Sequence, residues 1–220
     1  AIAAAGRHTL LLAGPPGTDK TILARRLLGL LPGLAHTEAV EVTRIHSVAG
    51  TLPARAGLVA MPPFRAPHHS ATLVALVGGG PGPRPGELSL AHRGVRLLDE
   101  LPEFTRHALE GLRQPLEDGT ITVSRAGVRA TFPASVLLVA AMNLCPCGAR
   151  GDAGLECTCR AAALAAYRGR VSRALLDRFD IVAVVPRARS VELSASPGEP
   201  SAPVRAWVVD ARRRLQRERE

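Results

Sequence analysis

Residues 14–21 read GPPGTDKT, set between the apolar stretch Thr9 to Ala13 and an apolar-periodic segment that opens at Ile22. A buried strand, a glycine-rich turn and a helix start, in that order, present backbone N–H groups and the positive end of a helix dipole to an anion. The phosphate-loop (Walker A) pattern G-x-x-x-x-G-K-[ST] is met at Gly14, Lys20 and Thr21, with Pro15, Pro16, Gly17 and Thr18 forming the turn. It is broken at one position, where Asp19 replaces the second glycine. The stretch predicts a β-loop-α unit that holds the phosphates of a nucleotide, and with it an α/β fold.

Of the 28 basic residues, 27 are arginine and one is lysine, Lys20. Wherever a plain positive charge suffices, this chain uses arginine. A compact ammonium reaching the β- and γ-phosphates is a role that the planar guanidinium fills poorly. The only lysine falling inside the phosphate loop therefore argues for that role over an ordinary surface lysine.

Composition narrows the class. With 220 residues, 46% hydrophobic but only 3% aromatic, the core must be built from Leu, Val and Ala, which favours a stacked α/β sheet over a β-sandwich. The net charge of +9 suits a polyanionic partner such as nucleic acid, although an arginine-rich composition also follows from a GC-rich genome. The longest apolar run, Val136 to Met142, is too short to span a bilayer, so no membrane partner is expected. Ile2 to Ala5 read as the end of an element that began earlier, and the expectation is part of a larger, cytoplasmic protein.

Along the chain, Thr9 to Ala13 reads as a buried parallel strand and residues 20–31 as a helix. Thr37 to Val48 reads as a helix with Ala39, Val42 and Ile45 on one face, its β-branched content leaving a strand open. FRAPHH (64–69) reads as a short strand, Ser70 as the cap of a brief helix, and GGGPGPRPGE (78–87) as a mobile loop without regular structure. Glu87 to His92 reads as a helical turn. The segment GVRLLDE then ends an apolar strand with Asp99 and Glu100. An acidic pair at a strand's C-terminal edge is the Walker B arrangement: the aspartate holds Mg²⁺ and the glutamate polarises a water for attack on the γ-phosphate. Thr105 to Leu116 reads as a helix and Ile121 to Pro133 as a β-hairpin, with Arg125 and Arg129 flanking its tip. Those arginines are either ordinary solvated charges or contacts to a nucleic-acid backbone. Ser135 to Met142 reads as another buried strand, and Asn143 at its end either holds the attacking water or senses the γ-phosphate, or simply ends the strand in a turn.

All four cysteines fall within fifteen residues, Cys145, Cys147, Cys157 and Cys159. Four thiolates on one loop suit a structural Zn²⁺ site, with reduced thiols or redox bridging as alternatives. An alanine-rich helix follows over residues 160–170, then LLDRFD (175–180) and a last strand at 181–185.

The motifs together, AAAGRHTLLLAGPPGTDKT, PFRAPHH, PGELSLAHRGVRLLDELPEF, SRAGVRATFPA, LVAAMN, CPCG with CTC, and LLDRFD, resemble the AAA+ module of the magnesium-chelatase-like ComM/YifB proteins. The resemblance implies a P-loop core with a parallel five-stranded sheet flanked by helices, a helix-2 insert at residues 77–86 and a pre-sensor-1 hairpin. It implies ATP and Mg²⁺ at Lys20, Thr21, Asp99 and Glu100, Asn143 as sensor 1, and Arg178 as an arginine finger acting in a neighbouring subunit. It also implies a homo-hexamer acting on single-stranded or branched DNA, with residues 1–186 as the core, 187–203 as a linker and 204–220 as the start of a helical lid. Asp19 opposes this set: a carboxylate about 5 Å from a phosphate costs roughly 3 kcal/mol at an effective dielectric near 20. A degenerate, non-hydrolysing scaffold is thus one alternative, and the ATPase subunit of a magnesium chelatase is another.

Overall fold

A computed structural model describes residues 1–80, 82–125, 128–188 and 198–218, with the backbone but not the side chain of Arg125. Helix α1 (Ile2–Gly6) precedes strand β1 (Leu10–Ala13), whose apolar residues do not alternate, as befits a strand covered on both faces. Helix α2 (Lys20–Leu28) starts directly after the glycine-rich turn. It stops short of the expected Leu31 because the amides of Gly29, Leu30 and Leu31 each bond three residues back, in a tighter turn. Helix α3 (His36–Val48) is a helix and not a strand, burying Ala39, Val42 and Ile45 along one face. The Glu38 carboxylate holds its start by accepting from the Ala35 amide at 3.0 Å.

Strand β2 (Phe64–Arg65) takes only two residues of the expected FRAPHH strand. Helix α4 (Leu73–Val77) is capped by Thr72, whose hydroxyl accepts from the Ala75 amide at 3.2 Å. Ser70, the expected cap, instead shares a hydrogen bond with His68 Nδ1 at 2.8 Å. Short helix α5 (Glu87–Leu90) leads into β3 (Val95–Leu98). The helix expected over residues 105–116 is two, α6 (Arg106–Gly111), capped by Thr105, and α7 (Arg113–Asp118). Pro115 has no N–H to offer the Gly111 carbonyl and its ring crowds that carbonyl, so the helix breaks at Leu112.

The hairpin strands are β4 (Thr120–Arg125) and β5 (Val128–Pro133), paired from Thr120 opposite Pro133 to Arg125 opposite Val128. Then come β6 (Leu137–Met142), α8 (Ala161–Arg168), α9 (Arg173–Leu176), β7 (Ile181–Val184) and α10 (Ser201–Arg217). Of the expected linker, residues 187–203, positions 189–197 lie outside the described residues, and 201–203 already belong to α10, which begins three residues before the expected start at 204. Five parallel strands form one sheet in the order β2-β3-β6-β1-β7, with Leu10 opposite Val139 on one side and Ile181 on the other. Among the described residues no helix is long and apolar enough to cross a membrane.

The chain divides into two compact units, Ala1–Leu31 with Asp99–Glu103 and Val139–Glu220, and Pro32–Leu98 with Phe104–Leu138. In the first, Leu11, Leu12, Ala24, Leu27, Val139, Ala140 and Leu175 are buried, and Arg212 of α10 donates to the Ala4 carbonyl of α1 at 2.8 Å. The second buries Val42, Ile45, Leu76, Leu88, Leu97 and Leu109. It also buries Arg96 completely, inside the strand that the sequence presents as apolar. Arg96 Nη1 lies 3.2 Å from Glu87, which also pairs with Arg65. Burial pulls the Arg96 guanidinium down to about 10, and Glu87 is held below the usual carboxylate range by both arginines despite its own burial.

The glycine-rich insert in the same unit is more ordered than its composition suggests. Gly78 bridges Pro85 antiparallel, and the Gly79 amide donates to Arg84 O at 3.0 Å. A Cβ on Gly86 would lie 2.3 Å from the Gly78 amide nitrogen, so the approach needs glycine. Pro81 lies outside the described residues.

Candidate nucleotide-binding site

The site lies wholly in the first unit. Strand β1 delivers Gly14 so close to β7 that any Cβ would meet Val185 O at 2.1 Å, which makes this first glycine obligatory. The turn closes on itself through Thr18, whose hydroxyl donates to Pro15 O at 3.0 Å. Lys20, 9% exposed, places Nζ 3.1 Å from Gly14 O, 2.7 Å from Pro15 O and 3.2 Å from Thr18 Oγ1. Burial lowers its pKa, and the nearby Asp99 charge opposes the shift. Gly17 has φ of 73° with nothing within 4 Å of the Cβ it lacks, so the loop is open on that side.

Asp19 takes the left-handed conformation, φ 55° and ψ 28°, at the N-cap of α2. That explains why the pattern asks for glycine there, and aspartate is one of the few other residues that enters this region at modest cost. Its side chain is exposed and makes no capping hydrogen bond.

Thr21 Oγ1, in the first turn of α2, donates to Asp99 Oδ2 at 2.5 Å, across 78 residues of sequence. Asp99 Oδ1 accepts from the Glu100 amide at 3.0 Å, and Glu100 is itself left-handed at φ 53°. A non-glycine residue held in that region at a strand end is the kind of strain that functional sites store. A cavity of about 210 Å³ opens here, lined by Lys20, Asp99, Glu100, Glu103, Asn143 and Tyr167 among others. Asn143 thus joins the same cavity as the acidic pair.

Two lining residues, Glu103 and Tyr167, are absent from the sequence reading. Tyr167 Oη donates to the Asn143 carbonyl at 3.2 Å. Burial, reinforced by the Glu103 charge, pushes its phenol up to about 12. Both Glu103 oxygens accept from Arg170 Nη1 at 2.9 Å. The one available signal was that Tyr167 is the only tyrosine, placed on the buried side of an alanine-rich helix.

Arg178 does not line the cavity. It follows α9, where its carbonyl accepts from Thr9 Oγ1 at 2.5 Å. In the second unit, Arg129 is exposed on β5 opposite Ser124, and Arg125 stands opposite Val128 with its side chain outside the described residues.

The four cysteines converge. Their sulfurs all lie within 4.8 Å of one another, with Cys145 to Cys147 at 3.4 Å and Cys147 to Cys157 at 3.7 Å. None of the four forms a disulfide, and Cys145 is buried. The Ala149 amide, followed by the neighbouring thiols, brings Cys147 down to about 6, while sharing a hydrogen bond with Cys147 pushes Cys159 up to about 12.

A phosphate loop on β1, an acidic pair beyond β3 and a polar residue ending β6, on a five-stranded parallel sheet, define the AAA+ class of P-loop proteins. A solved structure agrees: that of NtrX from Brucella abortus in complex with ADP superposes with a TM-score of 0.52 over 83% of this chain and 33% of its own, at 18% identity. The chain belongs to the family described as magnesium chelatase, subunit ChlI, whose profile matches residues 1–193. Among curated relatives, the uncharacterized protein Rv2897c of Mycobacterium tuberculosis is 50% identical over 212 residues, 96% of this chain and 42% of its own. Competence protein ComM of Haemophilus influenzae is 48% identical over 220 residues, 99% of this chain and 42% of its own. The chain therefore spans about two fifths of the length of these relatives. More distantly, the DNA replication licensing factor Mcm2 of Drosophila melanogaster is 27% identical over 180 residues, 82% of this chain and 17% of its own.

Proposed function

We propose that this chain is the ATP-binding and ATP-hydrolysing module of a cytoplasmic, ring-forming AAA+ motor that acts on DNA. The observation that carries the reading is the Thr21–Asp99 hydrogen bond, with Asp99, the buried Lys20, Glu100 and Asn143 all lining one cavity. A hydroxyl and a carboxylate brought into contact are the donor pair that Mg²⁺ takes alongside nucleotide phosphates, so the residues present fit the ion. When bound, Mg²⁺ neutralises charge on the phosphates.

The chain's own residues supply the rest. The Lys20 ammonium exchanges its loop carbonyls for phosphate oxygens, which return the charge partner that burial makes expensive. Glu100 accepts a proton from the attacking water, and Asn143 orients that water with its backbone pinned by Tyr167. Arg178, away from its own cavity, serves a neighbouring protomer, which ties turnover to assembly. The exposed Arg129 on the hairpin and the net charge of +9 support a DNA partner, as does the resemblance to Mcm2. The cysteines are assigned to a structural zinc ion. Tetrahedral Zn–S bonds of about 2.3 Å separate neighbouring sulfurs by roughly 3.8 Å, close to the observed spacing.

The deciding experiment is ATP turnover by the full-length protein, alone and with single-stranded or branched DNA. Turnover raised by DNA is the expected result. Stimulation only by a chelatase partner subunit would move the assignment to a metal chelatase, and absence of nucleotide binding would leave a scaffold.

A further inference from the structure

Residues 144–160 carry the four cysteines, contain no helix or strand, and meet the glycine-rich loop at Pro16. Gly148, at φ 82°, comes so close that an added Cβ would lie 2.9 Å from Pro16 Cγ and 3.0 Å from Pro16 Cδ. Gly151, at φ 83°, packs against Leu144, with Pro15 Cδ at the edge of contact, 4.0 Å from a built Cβ. Asp152, its side chain 4% exposed, lies 3.1 Å from Arg187 Nε, and Nη2 of the same guanidinium donates to Pro16 O at 3.3 Å. The cysteine loop thus reaches Pro16 twice, directly through Gly148 and indirectly through Asp152 and Arg187.

These contacts are weak individually. The Arg187 side chain is half exposed, so its ion pair is screened and contributes little. A glycine contributes shape but little buried area. Seventeen residues without a helix or strand carry a large conformational entropy, which such contacts do not offset. What the loop does have is four sulfurs gathered from both ends. Cys145 is woven into the turn that carries Gly148: its carbonyl accepts from the Gly148 amide at 3.2 Å and its sulfur from the Arg150 amide at 3.3 Å. A metal joining Cys145 and Cys147 to Cys157 and Cys159 closes the loop and holds Gly148 and Asp152 in place.

The geometry points to a metal-dependent clamp: a thiophilic divalent ion of the zinc class, bound by Cys145, Cys147, Cys157 and Cys159, holds residues 144–160 against Pro15 and Pro16 and thereby sets nucleotide affinity. The inference rests on the nucleotide-site reading above and adds its control. The same loop begins directly after Asn143 and ends at the helix whose Tyr167 donates to the Asn143 carbonyl, and both of those residues line the cavity.

The test uses the full-length protein. Zinc content is measured, zinc is withdrawn with a thiol-reactive mercurial and a chelator, and then zinc alone is restored after the thiols are regenerated. At each stage two readouts are taken: hydrogen exchange at the Gly17, Thr18 and Asp19 amides, and the affinity of a fluorescent ATP analogue. One zinc per chain is expected, with faster exchange and about tenfold weaker binding on withdrawal, both reversed by zinc. Gly148→Ala should weaken binding similarly with its zinc retained, which separates the clamp from general unfolding. Substoichiometric zinc, or loop exchange indifferent to zinc, overturns the proposal. If exchange tracks zinc but no analogue binds in any state, the nucleotide reading fails while the mechanical clamp stands.

Discussion

Replacing Asp19 with glycine should raise ATP affinity while leaving the stability of the nucleotide-free protein nearly unchanged, and the two effects have separable causes. In the free protein the left-handed backbone at φ 55° costs a non-glycine residue about 1 kcal/mol, less for aspartate, and glycine removes that strain. Against it, glycine adds unfolded-state entropy worth roughly 0.4–1 kcal/mol, and removes a carboxylate from the start of α2, where it is worth about 0.3–1 kcal/mol. These terms cancel to within about 1 kcal/mol. In the complex only the charge matters. Because Asp19 is exposed, the effective dielectric lies between about 20 and 80, and a separation near 5 Å then gives roughly 1–3 kcal/mol of repulsion. That corresponds to a gain of about 5- to 150-fold in affinity. Equilibrium titration with a fluorescent ATP analogue reads it directly. Asp19→Asn divides the causes, since asparagine keeps the tolerance for this backbone and loses the charge. If Asn matches Gly, repulsion is the cause; if Asn matches Asp while Gly binds tightly, backbone clearance is. Unchanged affinity in both variants would refute the reasoning.

Arg178→Ala should lower ATP turnover by about 10³-fold or more with analogue affinity preserved, and normal turnover would remove its role in a neighbour's site. Tyr167 makes alkaline stability a second test. Its phenol pKa is raised in the folded state to about 12 from an ordinary 10, so the folded protein holds its proton more tightly. The stability it contributes is fully present below pH 10 and is lost between pH 10 and about 12. Denaturant midpoints followed across that window should fall for the parent protein and fall less for Tyr167→Phe; parallel curves would mean that the phenol is not buried as described. Arg129→Ala should weaken binding to DNA of any sequence and reduce the salt slope by about one ion, whereas an unchanged slope would return Arg129 to an ordinary surface charge.

Much of the candidate site was legible because the phosphate-loop pattern constrains neighbouring residues. Gly14, Lys20 and Thr21 sit within eight positions, and the local order of strand, turn and helix is enough to place them on one loop. Asp99 and Asn143 were legible from strand ends, because a parallel sheet gathers the C-terminal edges of its strands on one side. Boundaries were less so. Pro115 splits a helix whose apolar period runs straight through it, and Thr72 takes the capping role that Ser70 offers equally well on paper.

By itself, the sequence located the glycine-rich loop between β1 and α2, the acidic pair after β3, the strands that present them and the grouping of four cysteines, since each of these depends on residues close together in the chain. Tertiary structure alone decided that Arg96 inside an apolar strand is neutralised by Glu87, that Tyr167 and Glu103 join the cavity, and that Gly148 and Arg187 meet at Pro16. Arg96 and Glu87 are only nine residues apart but lie on different elements, a strand and a short helix, while the other pairings link residues far apart in the chain; no local propensity encodes a contact whose geometry exists only after the sheet has assembled. Asp19 shows both levels: its identity is a matter of sequence, but its left-handed backbone and exposed carboxylate, which set the size of the penalty, belong to the fold.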